Sequence, residues 1–565
     1  MSRAESHFPS AIVRTPDAAA PLRARLTAES KPGSVSRASS FSRAPLVAPS
    51  GDATTVPGVA AALFRLAAAA FGPGGSPLLV QVTPDKQHVV CTSSSRRLWE
   101  ALLVEHAVAR LLLQPVRAAL DGGLATVLLT SGLVRAFGDD ASLTRAPRRG
   151  LDALDACAGI VHQWLDATPL VQRVDVSDME MMLAVAESAL RTKRAACLDA
   201  HTARFLAIVL VQTLLDSLAA DGRMSGLVRF FAVPGIGSTM DSSRYAGVLV
   251  DVLPPDDAPP LVENVAVALF NVSLFDDDPQ QDTDLSVAVH DALAGDEEAR
   301  DAREVEALRV FGQRLIDAGV GLVACQKLVH PWLRDMLHAR GIMVLERLSI
   351  RHMDAVALVA GGIVLSGMAL PHDVRACLGF ASRVERVRVG RKQLLSITNE
   401  RRPDAVATVA LVCKTVAGAE DLEAAARAAL DALRHMLADP HILPGQGAWM
   451  AELAAHMRSR PLSGSTERAA AAALATALEC TVRSLGPLRT ATHIAPWSAA
   501  ADMGLRADGT VVGLDAETGD ATIVRTADGT RTGAVDTRTL CARVLDHALD
   551  TAASVLRVRN VLVAQ

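Results

Sequence analysis

The segment LRVFGQRLIDAGVGLVACQKLVHPWLRDMLHARGIMVL, residues 308–345, decides the fold. Leu308, Phe311, Leu315 and Ile316 recur at three- and four-residue intervals, which predicts a helix with one apolar face. Val320 to Cys325 is a short apolar run that reads as a strand. His330-Pro331 opens a second helix, because proline suits the first helical position. Ile342 to Leu345 reads as the next strand. Helix, strand, helix, strand implies a small parallel sheet with crossover helices.

Just upstream, Ala246–Val250 and Val265–Phe270 are short, β-branched and apolar, and read as further strands. The acidic segment Asp276–Asp284 reads as an exposed loop. Farther out, both flanks turn helical. An Ala-rich helix is expected from Thr55 to Ala70, stopped by Phe71-Gly72-Pro73-Gly74-Gly75-Ser76. Trp99–Leu113, Ala125–Val134 and Met179–Leu215 also read as helical, the last interrupted at Arg191-Thr192-Lys193-Arg194. On the C-terminal side, Leu422–Leu437 is helical. Pro444-Gly445-Gln446-Gly447-Ala448 breaks the chain before a helix to His456, and another helix follows from Ala469 past Glu479. Val511–Asp515 and Asp520–Val524 read as a hairpin. The last helix aligns Leu540, Val544, Leu545, Leu549, Ala552 and Leu556. Helical, α/β, helical is the order of a discontinuous domain, built from both ends of the chain with the middle inserted.

Composition narrows the function classes. At 565 residues the chain is long enough for several domains. Aromatics are 3%, too few for base-stacking platforms, and the formal net charge of −5 offers no basic field, so neither nucleic acid nor membrane insertion is expected. The segment Arg383–Arg391 is locally basic, but Val384, Val387 and Val389 interleave with Arg383, Arg386, Arg388 and Arg391, as on a solvated strand face. Eight scattered cysteines without a CxxC pair argue for reduced thiols, mostly buried, rather than a disulfide framework or zinc site. Cys197 is one of them. The uncharged run Ala355–Pro371 falls short of a membrane span, and its glycines read as buried strand and loop. Residues 1–49 are rich in Ser, Arg, Pro and Ala, and read as a disordered tail. Their Arg/Ser bias resembles a transit peptide, against which Glu5, Asp17 and Glu29 count.

Six short words stand in one order along the chain. They are Phe71-Gly-Pro-Gly-Gly75, Ser188-Ala-Leu-Arg-Thr-Lys193, Leu322-Val-Ala-Cys-Gln-Lys327, Arg340-Gly-Ile-Met-Val-Leu-Glu-Arg347, Pro444-Gly-Gln-Gly-Ala448 and Gly513-Leu-Asp-Ala-Glu-Thr-Gly519. Together they resemble the group II chaperonin family over residues 55–563. Val90-Cys-Thr92, Val267-Ala-Leu-Phe270 and Cys325-Gln-Lys-Leu-Val-His-Pro331 are most similar to its McKusick–Kaufman/Bardet–Biedl branch. The resemblance implies a multidomain α/β protomer with a helical equatorial domain (residues 50–146 and 403–565), a small intermediate domain (147–222 and 368–402) and an α/β apical, client-binding domain (223–367). It further implies related chaperonin-like Bardet–Biedl subunits and the CCT chaperonin as partners, BBSome subunits as clients, and the cytoplasm, centrosome and ciliary basal body as location.

The same resemblance places a nucleotide pocket at Gly72, Gly74, Gly123, Gly447 and Asp515. Several of the family's working groups are replaced. Its GDGTT word reads Asp121-Gly122-Gly123-Leu124-Ala125, so Gly122 stands where a magnesium-binding Asp belongs, and Leu124 and Ala125 stand where two hydroxyls belong. Its TNDG word reads Thr92-Ser93-Ser94-Ser95. Its water-orienting Asp aligns with Ala428, one helical turn from Asp431, which reads as a solvated carboxylate. Asp121 is the one neighbour able to substitute at the metal position. These losses lead to the expectation of a degenerate site with no catalytic residue, no metal and no required cofactor, open only to weak ATP binding, in a chain that is not an enzyme. The function so expected is an assembly factor that holds incomplete BBSome subunits. The alternatives are an ATP-dependent CCT-like folding subunit and a scaffold without chaperone activity. His330 and His338 lack convergent ligands for a metal.

Overall fold

A computed structural model describes residues 44–45, 55–81, 89–104, 106–117, 119–196, 198–218, 226–235, 237–254, 261–275, 297–486 and 503–558. The tail over 1–43, the acidic loop at 276–284 and Cys197 lie outside the described residues.

In chain order the first long helices are α1 (Val56–Ala69), α2 (Gly123–Asp139), α3 (Pro147–Ala167), α4 (Met179–Arg191) and α5 (Ala200–Asp216). Strands β1 (Leu227–Pro234), β2 (Ser243–Ala246), β3 (Val248–Val250) and β4 (Leu261–Phe270) follow. Then come α6 (Glu297–Asp317), β5 (Val320–Cys325), α7 (Pro331–His338), β6 (Met343–Leu345) and α8 (Ile350–Ala360). After them lie β7 (Gly379–Val389), β8 (Lys392–Thr398), β9 (Val406–Cys413) and α9 (Val416–Ala438). The chain returns through β10 (His441–Pro444), α10 (Ala448–Ser459), α11 (Ser465–Arg483), β11 (Val511–Leu514), β12 (Ala521–Arg525), β13 (Val535–Thr537) and α12 (Arg538–Arg557).

The deciding segment folds as its periodicity predicts. β4, β5 and β6 pair in parallel, and α6 and α7 carry the crossovers. Leu308, Phe311 and Leu315 of α6 are buried against Leu333 and Leu337 of α7 and one face of the sheet. The sheet has seven strands: β6-β5-β4-β7-β8-β3, with the short strand Val364–Leu365 beside β4. Three of its joints, β4–β7, β7–β8 and β8–β3, are antiparallel.

A helical core gathers α1, α2, α3, α10, α11 and α12, from Val59–Leu170 and Leu443–Val555, so the two ends of the chain do share one core. Small residues let its helices approach: at Gly132 of α2 an added Cβ would sit 3.4 Å from Ala477 of α11. A second core packs α4, α5 and α9 on one face of a three-stranded sheet, β1-β9-β2. These cores divide the chain elsewhere than the expected boundaries. α3, beyond residue 146, packs in the helical core; α9, beyond residue 403, packs in the second; and β7 and β8, within 368–402, belong to the seven-stranded sheet.

Other expectations need correction. Ala355–Ala360 is the end of α8, not strand; Ser349 caps its start by accepting the His352 N–H, and Gly361 ends it at φ 70°. Trp99–Leu113 is two short helices, Ser95–Ala101 and Ala107–Leu113. On β7, Arg386 is not simply solvated: it donates to the Pro254 carbonyl at 3.0 Å. Among the described cysteines only Cys157, Cys325 and Cys541 are buried, and all seven are free thiols. No described helix is long and apolar enough to cross a membrane.

Candidate functional site

Two helices of the helical core begin at a left-handed glycine with no side-chain cap. α2 starts at Gly122 (φ 74°) and α10 at Gly447 (φ 77°), both in the left-handed region. A helix start leaves N–H groups pointing outward, and with no capping side chain they remain available to an anion. Gly122 is tightly enclosed, since a Cβ there would lie 2.7 Å from Val544 and 2.9 Å from Leu540 of α12.

Four of the five expected pocket residues gather around Leu485. A Cβ on Gly72 would meet its side chain at 2.7 Å, and one on Gly447 at 3.0 Å. A Cβ on Gly74 would meet the Leu485 carbonyl at 2.6 Å and the Ala516 carbonyl at 2.7 Å, beside Asp515. Gly123 stands apart from that group, against Val116 at the start of α2. The Asp515 carboxylate accepts the Glu517 and Thr518 N–H groups at 2.8 and 3.3 Å, so it holds its own hairpin turn.

The charged groups near the start of α2 form a network. The Lys193 ammonium, at the end of α4, donates to Asp121 at 2.8 Å and to Thr192 at 3.0 Å. Burial works to raise the Asp121 carboxyl, but Lys193, the Gly122 N–H and Arg543 together hold it below the usual carboxylate range. Arg543 of α12 reaches Asp431 of α9 at 3.4 Å, and His435 lies 3.7 Å from the same carboxylate. Burial lowers the His435 imidazole, with Arg543 acting in the same sense and Asp431 and Asp121 against it. Asp431 is therefore not a solvated carboxylate: it is inside this network, while Ala428 is fully buried. Leu124 packs on the helical core and Ala125 is buried in it.

Two further carboxylates escaped the sequence reading. Asp421 of α9 is fully buried and accepts Thr92 Oγ1 at 2.5 Å, Ser93 N–H at 2.9 Å and Ser93 Oγ at 3.1 Å, besides pairing with Arg97. The Thr92-Ser93 word thus grips a carboxylate supplied by another helix. Asp536 accepts the Trp449 indole N–H at 3.0 Å, and burial pushes its carboxyl up to about 6. Only the Val535-Asp536-Thr537 alternation hinted at it. His330 has a structural task, accepting the Trp332 N–H at the start of α7. Among the described residues no three His, Cys, Asp or Glu side chains are grouped to hold a metal ion.

The family model described as the TCP-1/cpn60 chaperonin family matches residues 63–565. The chain belongs to that family. It is similar to a thermosome subunit beta of Desulfurococcus mucosus, 24% identical over 521 residues, 88% of this chain and 97% of the relative. It is also similar to a thermosome subunit beta of Sulfurisphaera tokodaii, 24% identical over 72% of this chain and 73% of the relative. A third relative is thermosome subunit 1 of Haloferax volcanii, 27% identical over 58% of this chain and 57% of the relative. Thermosome subunits are ATPases, and such kinship over nearly the whole chain overturns the expectation that this chaperonin-family chain is not an enzyme.

Proposed function

We propose that the chain is a nucleotide-dependent chaperonin subunit that holds unfolded or incomplete protein subunits while they assemble. The observation that carries this is the meeting of Asp121, Lys193, Asp431, His435 and Arg543 beside the uncapped start of α2. ATP would supply the free energy for changing the chain's conformation. The phosphates suit the N–H groups at the starts of α2 and α10, near Gly123 and Gly447, while Gly72, Gly74 and Asp515 form the neighbouring loops. Asp121 and Asp431 are the carboxylates placed to act in lieu of the missing residues at 122 and 428. Lys193 pairs with Asp121 and Arg543 with Asp431, which holds both carboxylates in place.

The helical core corresponds in this reading to the equatorial domain, the α4–α5–α9 core to the intermediate domain, and the seven-stranded sheet with its helices to the apical domain. Ile350 and Leu358, two turns apart on α8, and nearby Ile363 are exposed apolar side chains that suit the holding of unfolded chains. The finer part of the proposal rests on the Val90–Thr92, Val267–Phe270 and Cys325–Pro331 words. They support BBSome subunits as clients, related chaperonin-like subunits and CCT as partners, and a place in the cytoplasm at the ciliary base.

The test is capture. The full chain is mixed with a chemically unfolded protein, with and without ATP, and separately recovered from ciliated cells. Suppressed aggregation that ATP alters, and recovery with incomplete BBSome subunits, are the expected results. Aggregation unchanged by the protein would overturn the chaperone reading, and recovery of finished complexes alone would overturn the client assignment.

A further inference from the structure

A second charged site lies where the three-stranded sheet meets the seven-stranded one, away from the glycine loops. Side chains alternate along β1. Val228 and Phe230 face α9, while Phe231 and Val233 face the side of β8 and β3. Arg229 falls on the second face and is half-buried. Its Nη1 is closed off from solvent and bonded to no acceptor among the described residues. Burying a guanidinium group without an acceptor is costly.

Its neighbours do not relieve it. Burial lowers the Arg229 pKa, and Arg351 and Arg427 lower it further, with Asp251 alone opposing. Asp251 is already shared between His352, 3.6 Å away, and Lys392, 3.5 Å away. Arg427 is occupied by Glu423 at 2.6 Å and lies over the Phe230 ring. His352 stacks on Phe231 with 6.4 Å between ring centres, and Lys392 lies 5.2 Å from the same ring. Arg351 and His352 both sit in the first turn of α8, which contains no acidic residue. A helix start favours negative charge, and Arg351 adds positive potential where the backbone is already positive, while burial, Arg229 and Lys392 lower the His352 imidazole.

We propose that Arg229, Arg351 and His352 form a binding site for a phosphate-class oxyanion, either free phosphate or the phosphate chain of a small molecule. The oxyanion supplies the acceptor that Arg229 Nη1 lacks, and Arg351 completes the clamp from the start of α8. A guanidinium pair suits a tetrahedral oxyanion because each can donate two parallel hydrogen bonds. The site joins β1 to α8, so an occupied site ties the two sheets together.

The experiment titrates the full chain with orthophosphate and, separately, with tripolyphosphate, at ionic strength held constant with potassium chloride. The parent, Arg351→Gln, Arg229→Met and Lys193→Ala are compared. The expected result is binding that survives Lys193→Ala and weakens by about 10-fold or more in both arginine variants. Tighter binding of tripolyphosphate assigns the site to a phosphate chain, and equal binding assigns it to a single phosphate group. Arg351 is exposed, so its variant tests the site even if Arg229→Met disturbs the sheet. Binding unchanged in Arg351→Gln, or lost in Lys193→Ala, or no binding to the parent at millimolar anion, would each overturn the proposal.

Discussion

The Lys193 ammonium lies 2.8 Å from the Asp121 carboxylate, joining the end of α4 to the start of α2. The pair therefore links the second core to the helical core, and both side chains are nearly buried. Removing one partner strands a charge. Lys193→Ala is expected to lower stability by roughly 3 kcal/mol at neutral pH. Because the folded pKa of Asp121 is depressed, its contribution is present above the unfolded carboxylate pKa and disappears as pH falls through the folded value. The deficit of the variant should thus shrink toward zero in acid. Chemical unfolding of parent and variant across pH checks this.

Restoring the family's Asp at position 122 should not be benign. Gly122 holds φ 74°, and a Cβ there would press on Val544 and Leu540. The left-handed backbone alone costs about 1–2 kcal/mol for a non-glycine residue, and the contact with α12 adds to it. Gly122→Ala isolates the backbone and packing cost from any charge effect. Both variants should unfold at lower temperature than the parent, by similar amounts. A fully stable Gly122→Asp would show that α12 can yield.

Asp421 pins the start of α9 to the Thr92-Ser93 loop, with three hydrogen bonds and an Arg97 pair on one buried carboxylate. Asp421→Ala removes a buried acceptor from the Thr92 and Ser93 hydroxyls, the Ser93 N–H and Arg97, which keeps its pair with Glu420. A loss of about 3–5 kcal/mol is expected. Hydrogen exchange should show deprotection centred on Thr92–Ser94 and the first turns of α9, rather than spread evenly.

Asp536 behaves in the opposite sense to Asp121. Its carboxyl is pushed up to about 6 by burial, so the folded state holds its proton more tightly than the unfolded state does. Its favourable contribution is complete below the unfolded value near 4 and is lost as pH rises through about 6. Asp536→Asn keeps an acceptor for the Trp449 indole N–H without the charge. Relative to the parent, the variant should gain stability between pH 4 and pH 6 and hold a plateau above, of roughly 2–4 kcal/mol. A constant difference across that range would contradict the burial argument.

Periodicity made the segment 308–345 legible because each element there buries one face. The strands β1 and β9 were not read. Val406 to Val412 is buried throughout, so β9 shows no alternation to distinguish it from helix or loop. For the same reason Ala355–Ala360 resembled a strand, although Ser349 and Gly361 carry the cap chemistry of a helix. At the site, the glycine turns were visible as words, because backbone geometry restricts residue choice locally. The ion pairs were not. Lys193 and Asp121 are 72 residues apart, and Asp421 and Thr92 are 329 apart, so only the packed fold brings them together. Asp431 seemed solvated because its partner, Arg543, comes from a helix 112 residues away.

The central claim is that Asp121 and Asp431 serve a nucleotide-dependent chaperonin subunit. The direct measurement is phosphate release from ATP and Mg²⁺ by the purified full chain, beside Asp431→Asn and a heat-killed control. The account predicts steady turnover by the parent that falls at least about 100-fold in Asp431→Asn. Turnover no greater than the heat-killed control, or turnover unaffected by Asp431→Asn, would contradict it.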